Sequence, residues 1–275
     1  MTSPTILLVD NGSTRPAATL SLRRIAEDLA GRIGRQVHPV SLQHADRVPA
    51  DELEGAGASV LASFLRTQLE TGQRDFIVLP LFFGRSRALT SFIPQQQAEL
   101  TQALGAFRLV QADVLSPLPD GDSRLADILA DHVEQCTGEM PAMPDRVIVV
   151  DHGSPIPEVT AAREAVTAAL RSRLPASVVL TQAVMERRSG RSYDFNGSLL
   201  EQELEDAAKA GDRRVVLAMM FISPGRHAGP GGDIASICTA AMNTHAGLQV
   251  CVSPLVGEHP LLIDILQDRL STIGE

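Results

Sequence analysis

Positive charge is scarce in this chain of 275 residues, which sets 24 lysines and arginines against 33 acidic residues for a formal net charge of −9. That balance argues against a nucleic-acid binder or an anionic-membrane binder relying on a basic field, so any anionic ligand must be held by local charge. Lysine is almost missing: Lys209 is the only one, and arginine, the better planar partner for carboxylates, supplies the rest. No apolar run approaches the roughly 20 residues that span a bilayer. The start, Met1-Thr2-Ser3-Pro4, runs straight into Ile6-Leu7-Leu8-Val9 without a charged and apolar leader, which makes the cytoplasm the expected compartment. Cysteine occurs at 136, 238 and 251 with no Cys-x-x-Cys spacing, and the apolar surroundings predict reduced, mostly buried side chains. The chain also lacks a Gly-x-Gly-x-x-Gly after its first apolar run and has no Walker A loop, which weakens any nucleotide-binding reading.

What is present is apolar material, 44% of residues, enough for one large or two ordinary domains. Short apolar runs alternate with helical patterns throughout. Strands are expected at Thr5–Asp10, Val37–Leu42, Phe76–Leu81 and Phe107–Leu115, with helices from about Pro16 to Gly31, Ala50 to Leu69, Pro94 to Leu104 and Ser123 to Cys136. After a short stretch rich in proline, Thr137–Asp145, the order returns. Strands are expected at Arg146–Asp151, Ser177–Met185, Arg214–Met220 and Leu248–Leu255, and helices at Glu158–Ser172, Leu199–Ala210, Ile234–Thr244 and Pro260–Thr272. The pattern predicts two tandem α/β sandwich domains, 1–137 and 146–275, each doubly wound on a mainly parallel four-stranded sheet.

The two halves share a register. Asp151-His152-Gly153-Ser154 lies 141 residues after Asp10-Asn11-Gly12-Ser13, and Gly225-Arg226-His227 lies 141 after Gly84-Arg85-Ser86. Glu186, at the end of the middle strand, lies 143 after Gln43. The ends of the first three strands therefore carry His152, Glu186 and His227 in the second half, against neutral Asn11, Gln43 and Ser86 in the first. Parallel strands deliver such residues to one rim, where ligands bind in open α/β sheets. Two imidazoles and a carboxylate suit a divalent transition metal. Taken singly, each histidine reads more readily as a structural strand-end residue and Glu186 as a solvated charge; the matched positions favour a common site.

Asp-His-Gly-Ser after the first strand and Gly-Arg-His…Asp-Ile after the third, with Met185-Glu186 and Arg187-Arg188 between them, resemble the sirohydrochlorin chelatases, the small CbiX-like class II chelatases. The resemblance covers the second half through ordered motifs and the first through fold order and degenerate motifs. It implies ATP-independent insertion of cobalt or iron, in some members nickel, into sirohydrochlorin or a related tetrapyrrole. His152 and His227 would then deliver the metal and accept protons, assisted by Glu186, and no cofactor would be permanently bound. For a substrate with eight carboxylate arms, the expected contacts are Arg187, Arg188, Arg226 and the nearby Arg191, with the Gly153 and Ser154 amides as further anion donors. The first half is expected to supply no metal ligand, and the tandem to act as a monomer that mimics a homodimer. A carrier of tetrapyrrole or metal without turnover, or an unrelated transferase on a Rossmann-like sheet, are the rival classes.

Overall fold

The computed structural model describes residues 3–273, so Met1 and Thr2, on which the expectation of no leader partly rests, lie outside it. The chain forms two four-stranded sheets, each parallel throughout. In the first, β1 (Thr5–Asp10), β2 (Val37–Ser41), β3 (Asp75–Pro80) and β4 (Arg108–Gln111) stand in the order β2-β1-β3-β4. In the second, β5 (Arg146–Asp151), β6 (Val179–Val184), β7 (Arg214–Met219) and β8 (Gln249–Val252) stand in the order β6-β5-β7-β8. Ile6–Val9, Val147–Val150 and Val215–Met219 are apolar without interruption because helices cover both faces of a parallel sheet. The edge strands β4 and β8 are shorter than the sequence predicts and half-exposed.

The crossovers are α1 (Pro16–Ile33), α2 (Leu61–Glu70), α3 (Ile93–Leu104), α5 (Pro157–Arg171), α6 (Leu200–Ala210) and α7 (Asp233–Thr244). Two further helices, α4 (Ser123–Glu139) and α8 (Leu261–Ser271), follow the edge strands. The single helix expected over Ala50–Leu69 is instead a 3₁₀ turn, Ala50–Leu53, followed by α2. Glu54 at φ 59° and Gly55 at φ 84° take the chain out of helical geometry between them. Between β3 and α3 the chain forms a π-type turn, Ala88–Phe92, that leads into α3. Between β6 and α6 the chain forms a 3₁₀ turn, Arg191–Asn196.

The compact units divide the chain differently from the repeat. One takes Met1–Pro117 with Leu262–Glu275, the other Leu118–Leu261. Helix α4 thus belongs to the unit of the second sheet, and nearly all of α8 to that of the first. In the first unit α8 buries Leu262, Ile265 and Leu266, Arg269 donates to the Val114 carbonyl at 2.9 Å, and Asp264 pairs with Arg32 at 2.7 Å. In the second unit α4 packs on β7 and α5. That placement overturns the reading of three reduced cysteines. Cys136 of α4 meets Cys251 of β8 in a disulfide, with Cα atoms 5.9 Å apart, and only Cys238 is a free, buried thiol.

Candidate active site

In the sheet order β6-β5-β7-β8 the chain first steps from β5 to β6 and then across to β7 on the other side. The loops after β5 and β7 therefore diverge and leave a crevice at their carboxyl ends. His152 follows β5, Glu186 follows β6 and His227 lies in the long loop after β7. One ligand atom from each of the three lies within 4.8 Å of the others, the one cluster of three or more potential metal-ligating side chains among the described residues. The imidazoles of His152 and His227 stand edge to face, 4.8 Å between centroids, and His227 Nε2 is 3.7 Å from Glu186 Oε1. His152 and Glu186 are exposed, while His227 is largely covered.

The turn after β5 brings these groups together. Gly153 adopts φ +87°, and a Cβ there would stand 2.0 Å from the Glu186 carbonyl oxygen, so only glycine lets the two loops touch. Glu186 N–H donates to the His152 carbonyl at 3.0 Å across that contact. A cleft of about 280 Å³ opens there, lined by His152, Gly153, Ser154, Pro155, Glu186, Arg187 and Arg188. Arg187 donates to the Gly197 carbonyl at 3.0 Å, and the Arg188 guanidinium sits 5.8 Å from the centre of the Tyr193 ring. Arg226 is outside that lining, exposed, with its Nε 3.4 Å from Asp233 Oδ2. Arg191 is exposed at the start of the 3₁₀ turn.

One expectation fails here. The amides of Gly153 and Ser154 are not available to an anion, because Gly153 N–H donates to Asp151 Oδ1 and Ser154 N–H to Asn196 Oδ1, each at 3.0 Å. The turn folds back on its own carboxylate and amide, and those acceptors occupy the donors that a ligand would need.

Sequence reasoning gave Asp233 a place in the Gly-Arg-His…Asp-Ile motif but no role at the site. Its Oδ2 stands 2.8 Å from His227 Nδ1, off the line that a good hydrogen bond needs, and its residue opens α7. A carboxylate at Nδ1 favours the proton there and leaves Nε2, the nitrogen facing Glu186, as the free lone pair. The signal was readable: 141 residues earlier stands Phe92, so this carboxylate too is absent from the first repeat. The first unit does keep the turn. Gly12 has φ +85°, and a Cβ there would lie 1.8 Å from the Gln43 carbonyl oxygen.

A family model described as CbiX matches this chain twice, over residues 5–136 and 146–273. Among curated proteins, the chloroplastic sirohydrochlorin ferrochelatase of Arabidopsis thaliana is 29% identical over 134 residues, which are 46% of this chain and 51% of that protein. The chain therefore matches about half the length of that relative. The structure of SirB from Bacillus subtilis with Fe3+ superposes with a TM-score of 0.67 at 14% identity, covering 98% of this chain and 95% of that one. The cobalt complex of the sirohydrochlorin chelatase SirB from Bacillus subtilis subspecies spizizenii gives 0.66 at 13% identity, covering 98% and 94%. At such identities the likeness establishes the fold.

Proposed function

Because the chain belongs to the CbiX family, we propose that its second repeat inserts a divalent metal, cobalt or iron, into sirohydrochlorin or a closely related tetrapyrrole without ATP. The observation that carries this reading is the meeting of His152, Glu186 and His227 within 4.8 Å at positions where the first repeat has Asn11, Gln43 and Ser86. The name of the plant relative and the metals in the two SirB structures support it. Nickel also lies within what two imidazoles and a carboxylate tolerate.

Metallation exchanges two pyrrole N–H protons for one divalent ion: free macrocycle and metal in, metallated macrocycle and two protons out. The site must therefore hold the metal with an incomplete ligand set and take protons near neutral pH. Three protein ligands leave coordination positions for the ring nitrogens. Imidazole serves both as ligand and as base. His227, with Nδ1 against Asp233, turns Nε2 toward Glu186, while His152 faces solvent at the cleft, where a flat substrate arrives. Arg187 and Arg188 on the cleft wall, and Arg226 beside Asp233, meet the carboxylate arms of the substrate. The protein works in this reading as a monomer in the cytoplasm with no resident cofactor. Among the described residues no helix is long and apolar enough to cross a membrane.

The test mixes purified protein with sirohydrochlorin and Co2+ and follows the absorption change. Acceleration over the spontaneous rate is expected, abolished by His152→Ala and by His227→Ala and little affected by Asn11→Ala or Ser86→Ala. No acceleration ends the reading, and tight tetrapyrrole binding without turnover reassigns the protein as a carrier.

A further inference from the structure

Behind His152 the second unit buries a charged group that the proposed chemistry does not use. Arg163, in the middle of α5, is 2% exposed. Its Nη1 donates to Asp151 Oδ1 at 2.6 Å, its Nε to Gln182 Oε1 at 3.0 Å and its Nη2 to the Asn196 carbonyl at 2.8 Å. Two of these partners hold the turn after His152. Asp151 Oδ1 accepts from Gly153 N–H, while the Asn196 side chain grips Ser154 from both sides, accepting from its N–H at 3.0 Å and donating to its carbonyl at 2.9 Å. One guanidinium thus ties together β5, β6 and the 3₁₀ turn that ends at Asn196.

The first repeat is an internal control. In the same registers, 141 residues before Arg163 and 143 before Asn196, stand Leu22 and Leu53, both buried. The turn nevertheless forms there, with Gly12 at φ +85° against +87° for Gly153. The ladder bond also persists: Leu42 N–H to the Asp10 carbonyl is 2.9 Å, against 3.0 Å for Met185 N–H to the Asp151 carbonyl. Arg23, beside Leu22, does donate to the Leu53 carbonyl at 2.8 Å, so one link of the network recurs there. Folding the turn therefore requires neither a cation on its strand-end aspartate nor the amide. Burying a charge pair is often no more stabilising than apolar side chains in its place. Among the described residues, the guanidinium on the strand-end carboxylate and the amide grip on the turn are present only in the repeat that carries the two histidines and the glutamate.

His152 itself is exposed, and the one hydrogen-bond contact of its imidazole is Nδ1 to the neighbouring Gly153 carbonyl at 3.1 Å. Among the described residues no other element holds the imidazole by a hydrogen bond, so its direction is set by the backbone that carries it. We propose that Arg163, acting with Asn196, is a positioning residue that aims His152 at Glu186 and His227. This rests on the reading of those three as the metal-holding set.

The double variant Arg163→Leu/Asn196→Leu puts the side chains of Leu22 and Leu53 at the matching positions of the second repeat. It should fold, with far-UV circular dichroism like the wild type, yet bind Co2+ at least about tenfold more weakly in a titration followed by visible absorption, in line with the usual effect of losing groups that orient metal ligands. In the insertion assay kcat should fall more than the KM for the tetrapyrrole changes. Arg163→Lys keeps a buried cation for Asp151 but cannot fork to three acceptors. It should weaken Co2+ binding too, and keeps the test decisive if the double variant does not fold. Wild-type Co2+ affinity in the folded double variant, or in Arg163→Lys, overturns the proposal. So does a wild type whose Co2+ titration is unchanged by His152→Ala. A wild type that binds Co2+ through His152 but never inserts it sinks the insertion reading alone, because the titration needs no tetrapyrrole.

Discussion

Replacing Gly153 with alanine should damage the metal site and leave the fold standing. The added Cβ would stand 2.0 Å from the Glu186 carbonyl oxygen and 3.2 Å from Val184 Cβ, on a backbone at φ +87°. To restore ordinary contact the loops after β5 and β6 must separate by about 1 Å or the turn must change conformation. Both routes displace His152, the residue before, and Glu186, the residue struck. The left-handed backbone costs about 1–2 kcal/mol and the overpacking about 1–3 kcal/mol, together about 2–5 kcal/mol. At roughly 2–4 °C per kcal/mol for a chain of this size, melting should fall by about 4–20 °C. Gly12→Ala is the matched control, with φ +85° and a Cβ 1.8 Å from the Gln43 carbonyl oxygen. It should cost a similar amount of stability, but it distorts only Asn11 and Gln43. Melting curves and Co2+ titrations on both variants check this, with Co2+ affinity lost in Gly153→Ala and kept in Gly12→Ala. Equal losses of affinity from the two, or an unchanged affinity in Gly153→Ala, would refute the reasoning.

Asp233→Ala should weaken Co2+ binding by about 10- to 100-fold by freeing the His227 ring, with little change in the KM for tetrapyrrole; a changed KM with intact Co2+ affinity contradicts that role. In the first unit, burial pushes Asp10 up to about 6 from 3.8, the Ser41 hydrogen bond opposing it only in part. The folded state then binds a proton that the unfolded chain has released, so the stabilisation is complete below about pH 4 and is lost as pH rises toward 6. Asp10→Asn should accordingly stabilise the protein at pH 7 by up to about 3 kcal/mol and by much less at pH 4, and denaturant curves at the two pH values showing the same increment would count against it. Thiol titration of the unfolded chain should give one group before reduction, Cys238, and three after it. Three before reduction would remove the Cys136–Cys251 link.

The sheet cores were legible because Val147–Val150 and Val215–Met219 are apolar on every residue, a pattern that a parallel strand covered on both faces requires. The candidate ligands were legible for a different reason: a repeat with a fixed register turns three unremarkable residues into a set that the other copy lacks. Helix α4 shows the limit. Its stripe of Leu125, Ile128, Leu129 and Val133 announces an amphipathic helix but not which sheet it will cover. Without that, no spacing brings Cys136 near Cys251, 115 residues away. The broken helix before α2 was misread because an apolar period continues across Gly55 and Gly57, where backbone conformation decides.

The same register extends the asymmetry from the rim into the core. Asp10 and Asp151 are the same carboxylate in the same turn, each raised by burial, but Asp151 faces Arg163 and Asp10 has Leu22 in that register. Exposed residues such as His152 or Asn11 cost the fold little in either form, since water solvates them. A buried guanidinium is different, because its desolvation must be offset by several hydrogen bonds held in place together. Leu22 and Leu53 fill the equivalent space with apolar side chains, and the guanidinium that holds the Leu53 carbonyl, that of Arg23, is only half-buried. The first unit therefore has the easier solution for stability, and a fold that needed only the turn would need nothing more. That the second unit carries Arg163, Asn196 and Asp233 where the first has Leu22, Leu53 and Phe92 is intelligible if those groups serve what the turn carries. In the site-bearing repeat the cost of a polar interior is tied to the direction of two imidazoles.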